Sequence, residues 1–373
     1  MVWAVSNSLY TPLIAGIDTL EIGYCIVRYE LSHAEWAMLQ EAKERAQSTL
    51  YDKGTGVRFR GYDLMVLRTG SGRYKFILSN EDLDIRIFVD ARSGEHFPEL
   101  KVRLKSQLLW RHGWQHAVRK VDEWIRTWAY IIEVKISRID ITVDFMGKLP
   151  ILSPELREVV ARPRKRREFG TYERYSDGNE PSGYRFGEND LSCRMYDKTK
   201  EVNISGKKWF EYLWEENGWG KGEVVTRVEF QCRRKIIRLM QMRTIEELFL
   251  KVPDLWKYLT SEWLTIRIIH NDSHRTRWPI TDFWQVVQSA GSCFGQVIGV
   301  SRLKQMRASK DILERNLRGY VLSLAALAMK SLPGSDVAYG KRYVVYFLES
   351  VIEDLNFEQE VQKRRHKYDS MEY

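Results

Sequence analysis

The chain has 373 residues, of which 44% are hydrophobic and 12% aromatic, so it can bury one large core or two to three smaller ones and is not intrinsically disordered. Its 59 Lys and Arg against 50 Asp and Glu give a net charge of +9, which favours an anionic partner such as nucleic acid. No stretch reaches the roughly 18 apolar residues of a membrane span, and the four cysteines lack CxxC spacing. We therefore expect a soluble, cytoplasmic protein with reduced thiols and no membrane partner.

The first part of the chain is predicted to consist mostly of β-strands. They are expected at residues 19–30, 57–68, 74–79 and 84–90, separated by turn signals such as KGTG and TGSG. A helix is predicted at 32–50, beginning with Ser32. A second, amphipathic helix is predicted at 110–130, where helical spacing relates Trp114, Val118, Val121, Ile125 and Trp128.

Three later segments alternate apolar and polar residues with the two-residue period of a half-buried strand. The polar face of the first, SRIDITVDF at 137–145, carries Arg138, Asp140, Thr142 and Asp144. The polar face of the second, LSCRMYDK at 191–198, carries Ser192, Arg194, Tyr196 and Lys198. That of the third, VVTRVEFQCR at 224–233, carries Arg227, Glu229, Gln231 and Arg233. Carboxylates, cations and one phenol therefore recur at strand spacing.

Two further segments are candidates for contact with nucleic acid. A short helix is predicted to begin at Pro154, and a basic run follows it, namely Arg162, Arg164, Lys165, Arg166 and Arg167. This run is interpreted either as a solvated loop or as a group that grips phosphates. The segment HNDSHRTRWP at 270–279 offers Arg275, Arg277 and Trp278, and cations beside an aromatic ring are typical of single-strand binding.

After the third motif strand the sequence becomes mainly helical. Helices are predicted at 235–242, 244–251 and 253–259, after Pro279, and at 303–330 and 344–365. The expected fold class is α+β, with a largely antiparallel central sheet and flanking helices in a catalytic region at 1–234 whose motif strands span 136–234. A helical C-terminal region at 235–373 would follow and serve DNA recognition or dimerisation.

The motif faces suggest chemistry on a phosphodiester. Three carboxylates, those of Asp140, Asp144 and Glu229, form an oxygen-rich set that predicts a Mg²⁺ or Mn²⁺ site. Tyr196 lies two residues from both Arg194 and Lys198, whose charges would favour the phenolate, the form that attacks phosphorus. Each motif alone is more typical of charge pairing or core packing, so the functional hypothesis depends on their coincidence.

Other catalytic motifs are missing from the sequence. There is no GxxxxGK[ST] loop, which argues against a built-in ATPase or helicase, and there is no GxSxG. None of the seven histidines forms a His-hydrophobic-His triplet. His112 and His116 lie four residues apart on a predicted helix without a third ligand, which favours a structural role.

Taken in order, SRIDITVD, RMYDKTKE and TRVEFQCRR resemble the motifs of the replication initiation factor family, that is, the Rep_trans-type initiators of small rolling-circle plasmids and the related relaxases of some integrative conjugative elements. The resemblance covers about residues 136–234. It implies that Tyr196 is the nicking nucleophile, that Arg194 and Lys198 bind phosphate, and that the metal ligands are Asp140, Glu229 and Asp144. Arg138 and Arg227, on the same faces, are predicted to contact DNA, and the secondary nucleophile or substrate-contact candidates are Tyr172, Tyr175 and Tyr184.

The resemblance implies sequence-specific, metal-dependent nicking and joining of DNA, to start rolling-circle replication or mobilisation of a plasmid, phage or integrated element. Tyr196 would hold the 5′ phosphate as a phosphotyrosine and leave a 3′ hydroxyl for a host polymerase, while a separate helicase unwinds the origin and the initiator forms a homodimer. Two alternatives stay open. One is a hydrolytic nuclease in which Asp140, Asp144 and Glu229 activate water, and the other is a non-catalytic DNA-binding protein. A tyrosine recombinase is disfavoured, because its nucleophile belongs on a helix.

Overall fold

The computed structural model of the chain describes residues 9–48, 54–91, 97–111, 113–153, 155–161, 166–169, 183–299, 310–332, 334–353 and 357–365. The chain divides into two compact units, Met1–Leu303 and Lys304–Tyr373. The predicted boundary after residue 234 lies inside the first unit. No helix in the described ranges is long and apolar enough to cross a membrane.

The strands and helices of the first unit alternate along the chain. Its strands are β1 (Thr11–Tyr29), β2 (Gly54–Phe59), β3 (Tyr62–Leu67), β4 (Tyr74–Asn80), β5 (Ile85–Ala91), β6 (Leu100–Leu104), β7 (Ala129–Met146), β8 (Val159–Ala161), β9 (Arg166–Phe169), β10 (Gly183–Glu188), β11 (Leu191–Asp197), β12 (Val225–Arg233) and β13 (Leu264–Ile266). Its α-helices are α1 (His33–Ser48), α2 (Ser106–Arg111), α3 (Trp114–Arg126), α4 (Lys198–Ser205), α5 (Trp209–Glu215), α6 (Arg234–Leu239), α7 (Ile245–Tyr258) and α8 (Asp282–Ser289). A π-helical turn at Leu259–Trp263 and 3-10 turns at Arg275–Arg277 and Ala290–Phe294 complete it.

Eleven of these strands form one sheet in the order β2-β3-β4-β5-β6-β1-β7-β12-β11-β10-β9, and β8 pairs with β13 separately. Every neighbouring pair is antiparallel. At the centre, β1 and β7 pair along strands of 19 and 18 residues, so they fix the register between the N-terminal meander and the motif strands. The α+β fold class with a largely antiparallel sheet, flanking helices and a helical C-terminal region is confirmed.

Helices cover one face of the sheet and form the main core with it. Ile141 of β7 and Phe230 of β12 are paired across the strands and belong to a buried cluster with Val118 of α3, Leu248 of α7 and Trp284 of α8. Helices α6 to α8 therefore belong to the core of the first unit. We call the opposite face of the sheet the polar face. It carries Asp144, Arg227 and Tyr196 of the motif strands and the side chains in register with them on the neighbouring strands.

Two predicted elements are divided by residues with positive φ. The strand predicted at 57–68 is the hairpin of β2 and β3, which turns at Arg60 and Gly61 with φ values of 46° and 89°. A pair of left-handed residues suits a tight hairpin, whose twist matches that of the strands. The helix predicted at 110–130 is divided into α2 and α3, with Gly113 at a φ of 77° before α3.

Two other predicted elements are wrong. The helix expected from Pro154 is not formed: Pro154 itself lies outside the described residues, 155–158 include turns, and β8 follows. The helices predicted at 244–251 and 253–259 are the single helix α7, which contains Pro253. A proline inside a helix costs about 3 kcal/mol, and here Pro253 is buried within α7 and its ring lies beside Gly295.

The second unit contains α9 (Lys310–Ser331), α10 (Val337–Ile352) and α11 (Phe357–Arg365). Helices α9 and α10 approach closely at Gly340, where a Cβ would lie 2.9 Å from the carbonyl oxygen of Ala325. The helices predicted at 303–330 and 344–365 thus fall on three observed helices, within the residues that are described.

Candidate active site

The register of the sheet brings the three motif faces side by side. Tyr196 of β11 lies opposite Arg227 of β12, which lies opposite Asp144 of β7. One step along the strands, Arg194 lies opposite Glu229, which lies opposite Thr142. Alternation alone therefore placed these side chains on one common face, as the sequence predicted.

Tyr196, Glu229 and Arg194 form the chemically most suggestive group on this face. The Tyr196 hydroxyl donates to Glu229 Oε2 at 3.1 Å, and Arg194 Nη2 donates to Glu229 Oε1. The Glu229 side chain is 3% exposed, whereas that of Arg194 is 42% exposed. A buried carboxylate thus holds a phenol and a half-open guanidinium at its two oxygens.

The environment of Tyr196 does not favour the phenolate. Burial raises the pKa of the Tyr196 phenol well above its ordinary value, and the nearby Glu229 charge raises it further, while Arg227 and Arg194 only partly oppose these effects. The expectation that flanking cations would ionise this tyrosine is therefore wrong. A base must take the proton, and Glu229 already accepts it in a hydrogen bond.

Lys198 is not on the strand predicted for it. The strand ends at Asp197, which caps α4 by accepting from the Lys200 amide, and Lys198 is the first residue of that helix. Its side chain is 3% exposed and pairs with Glu201. Burial and then Arg227 lower the pKa of the Lys198 ammonium. In this position Lys198 does not offer a surface contact for phosphate.

Asp144 and Arg227 form a fully buried ion pair. Arg227 Nε and Nη2 donate to the two Asp144 oxygens at 2.5 and 2.8 Å, and Arg227 Nη1 donates to Asp18 at 2.8 Å. The Trp214 indole also donates to Asp144, at 2.9 Å. Both predicted roles are therefore corrected: the Arg227 side chain is 0% exposed and is not placed to contact DNA, and Asp144 already has three donors.

A small apolar cluster explains the burial of this pair. Val202 of α4 and Phe210 and Trp214 of α5 pack against Ile14 of β1 and Val225 of β12. These helices cover the end of the polar face beside Asp144 and leave Tyr196 at the margin of that cover, partly exposed. The phenol is therefore largely shielded from solvent, beside the half-exposed Arg194.

Asp140 is paired with its neighbour on the same strand. Arg138 donates to both Asp140 oxygens, from Nε at 2.8 Å and from Nη2 at 2.5 Å. Burial raises the pKa of Asp140 to about 6, although Arg138 opposes the shift, and the Glu229 charge adds to it. Arg138 itself keeps 19% of its side chain exposed.

The carboxylates do not form a ready metal site in this arrangement. In the ranges that the structure describes, no three His, Cys, Asp or Glu side chains are grouped so that they could hold a metal ion. Asp140 and Glu229 lie near each other, but each is paired with a guanidinium group, and Asp144 is bound to Arg227. Beside them, the buried Thr142 hydroxyl has no hydrogen-bond partner among the described residues. The residues as arranged do not fit Mg²⁺ or Mn²⁺, and metal dependence stays a prediction.

The other predicted DNA contacts are dispersed. Trp278 is 5% exposed and its indole donates to the Asp272 carbonyl at 2.7 Å, so it is not placed to stack on a base. Arg275 bonds the carbonyls of Arg157 and Val159, which ties it to β8, whereas Arg277 is exposed.

Several predicted residues lie in or near the segment that is only partly described. Arg164 and Lys165, with Tyr172 and Tyr175, lie outside the described residues, and Arg166 and Arg167 are described only as backbone of β9. Tyr184 is 1% exposed and its hydroxyl accepts from the Leu152 amide at 3.1 Å, which is a core position and not that of a second nucleophile.

Sequence reasoning missed Asp18 and Trp214. Asp18 is 209 residues away from Arg227 in the chain, and Trp214 is 70 residues from Asp144. Neither falls in a motif, and only the alternation in β1 could have suggested that Asp18 faces the motif strands.

A scan against protein-family models found no match, and a search of curated proteins found no significant match. Among solved structures, the chain is similar to one described as the structure of a rolling circle replication initiator protein from Geobacillus stearothermophilus. That alignment covers 79% of this chain and 100% of the other, with 17% identity and a TM-score of 0.47. Since a TM-score below 0.5 does not establish a common fold, the function must be argued from the site itself.

Proposed function

We propose that the protein nicks and rejoins DNA through a covalent bond between Tyr196 and a 5′ phosphate. The observation that carries the proposal is the hydrogen bond from the Tyr196 hydroxyl to Glu229, beside the half-exposed Arg194. This is a nucleophile, a base and a cation within one hydrogen-bonded group, which is the arrangement that an activated nucleophile requires.

The proposed reaction begins with proton transfer. Glu229 takes the phenol proton as the Tyr196 oxygen attacks phosphorus, and the bond from phosphorus to the 3′ oxygen breaks. The 3′ oxygen leaves with a proton returned from Glu229, so that charge and protons balance. Rejoining is the reverse attack by the 3′ hydroxyl, and it needs no nucleotide because the phosphotyrosine keeps the bond energy.

Arg194 would stabilise the charge on the phosphoryl oxygens. Its guanidinium is anchored by Glu229 yet 42% exposed, so it can bind a phosphate without leaving the site. The biological role we propose is initiation of rolling-circle replication or mobilisation of a mobile element, with a separate helicase, a host polymerase and a second copy of the initiator as partners.

The test is covalent capture. We expect the full-length protein, mixed with single-stranded DNA from its own replicon and Mg²⁺ or Mn²⁺, to give an adduct that resists SDS and maps to Tyr196 by mass spectrometry. Tyr196→Phe should abolish the adduct and keep DNA binding, and Tyr212→Phe, an exposed tyrosine on α5, is the matched control.

Other outcomes would reassign the function. Cleavage without an adduct, retained in Tyr196→Phe, would indicate the hydrolytic nuclease. Binding without cleavage in any divalent metal would indicate the non-catalytic DNA-binding protein, and an adduct on another tyrosine would contradict the site.

A further inference from the structure

A row of arginines crosses the middle of the polar face, away from Tyr196. Arg86 of β5 lies directly opposite Arg103 of β6, and Arg138 of β7 lies directly opposite Arg233 of β12. Glu21 of β1 lies between Arg103 and Arg138 in the same register. We call Arg86, Arg103, Arg138 and Arg233 the arginine row.

Like charges placed directly opposite one another on neighbouring strands destabilise a sheet. The arginine row contains two such pairs, Arg86 with Arg103 and Arg138 with Arg233. Packing does not require this arrangement, because all four side chains point away from the helix-covered core. A polyanion bound across the row would relieve the repulsion.

The row combines fixed and free cations. Glu21 is 4% exposed and accepts from Arg103 Nε at 2.8 Å, and Arg138 is held by Asp140, so the two central guanidinium groups are fixed in position. Arg86 and Arg233 at the two ends are exposed, and neither guanidinium group makes a hydrogen bond or ion pair with the part of the chain that is described. The ends are therefore available to a ligand.

The row is on the same face as Tyr196 and lies within reach of one DNA strand. Six residues of β7 separate Asp144 from Arg138, about 20 Å at ~3.3 Å per residue. Five strand steps separate β11 from β5, about 24 Å at ~4.8 Å each. The diagonal from Tyr196 to Arg86 is therefore about 31 Å, or about nine nucleotides at 3.4 Å per nucleotide of a stacked strand. Arg233 is only one strand step from β11, so its distance from Tyr196 is about 20 Å, or about six nucleotides.

From these observations we infer that the arginine row is a second, sequence-neutral site that binds the phosphate backbone of single-stranded DNA between about six and nine nucleotides from the nucleotide at Tyr196. A single strand fits better than a duplex because the cations follow one line across the sheet. The inference rests on the proposed function only for the choice of DNA as the anionic polymer.

The experiment measures binding of the full-length protein to a labelled 16-nucleotide oligothymidylate by fluorescence anisotropy between 0.05 and 0.3 M salt. The test variant is Arg86→Gln with Arg233→Gln. The control, Lys120→Gln with Arg126→Gln, also removes two exposed charges, from α3 on the helix-covered side of the sheet.

We expect the test variant to lower the slope of log K against log salt by about 1.4, since each phosphate contact to a single strand contributes about 0.7. At 0.1 M salt this corresponds to about 25-fold weaker binding. The control should bind as the unmodified protein does, and the test variant should melt at the same or a higher temperature because two repulsions are removed.

An unchanged slope, or an equal decrease in the control, would overturn the inference. An equal loss of affinity for a 16-base-pair duplex would assign the row to duplex DNA and overturn the choice of a single strand. The adduct at Tyr196 is a separate readout. If the test variant lowers the salt slope as expected but the unmodified protein forms no adduct, only the proposed function is contradicted. If the adduct forms but the salt slope is unchanged in the test variant, only the arginine row is contradicted.

Discussion

Asp144→Asn should destabilise the protein strongly, whether or not a divalent metal is present. The substitution leaves the Arg227 guanidinium, whose side chain is 0% exposed, with Asp18 as its remaining charged partner. Removing one member of a buried ion pair costs about 3–5 kcal/mol, because the other charge stays buried. That is a large part of the 5–15 kcal/mol that is typical of the whole free energy of unfolding.

Urea unfolding in EDTA and in Mg²⁺ measures this effect. With an m-value of about 3 kcal/mol/M, the midpoint should fall by about 1 M or more in both buffers. The control is Asp190→Asn, which breaks the exposed pair with Lys235, at 3.1 Å, and should cost about 1 kcal/mol or less. Replacing both partners, as Asp144→Leu with Arg227→Met, should recover much of the loss. A decrease in the free energy of unfolding below about 1 kcal/mol would refute this reasoning. A decrease seen only in Mg²⁺ would also refute it and would support Asp144 as a metal ligand.

Three further predictions concern the site. Glu229→Gln should lower the rate of adduct formation by about 10²–10⁴-fold, as loss of a general base does, with DNA binding retained, and a rate within twofold of normal would contradict the base role. Because burial raises the pKa of Asp140 to about 6 from 3.8, the native state binds the extra proton between these values. Stability should therefore fall by up to ~3 kcal/mol as pH rises from about 4 to about 6, and Asp140→Asn should flatten this profile in EDTA. Because Asp140, Glu229 and Asp144 are each paired with an arginine, the adduct should form in EDTA, and an adduct that needs Mg²⁺ or Mn²⁺ would contradict this expectation and support the metal dependence that the sequence predicts.

The strands could be predicted from the sequence because their signal is local. Alternation in β7, β11 and β12 identified which side chains share a face, apart from Lys198, and the turn signals separated most N-terminal strands, although the turn between β2 and β3 was missed. The error at Pro253 has a physical cause: a proline is a helix-breaking signal, but packing of its buried ring outweighed that local cost within α7.

Alternation of apolar and polar residues could not predict whether the polar side of a strand is exposed to solvent or covered by a helix. The Arg227 side chain was expected at the DNA, yet α4 and α5 bury it, and the cluster that does so includes Val202, Phe210 and Trp214. Those contacts join segments that are far apart in the chain, such as Trp214 and Asp144, so no local pattern carries them. The same limit applies to the metal prediction, since the three carboxylates share a face but each has an arginine partner.

Because the Tyr196 phenol is largely buried, the neighbouring cations do not lower its pKa enough to ionise it. Two flanking charges suggested an ionised nucleophile, but a phenolate in a site of low polarity would be stabilised less by them than it is penalised by desolvation and by Glu229. A protonated phenol that donates to the Glu229 carboxylate is the more stable ground state, so Tyr196 would stay neutral until a phosphate is bound. In the proposed reaction, a phosphate that binds Arg194 would weaken the ion pair between Arg194 and Glu229 and make the Glu229 carboxylate a stronger base. Coupling of the base to the substrate in this way would confine nucleophilic attack to the DNA-bound state.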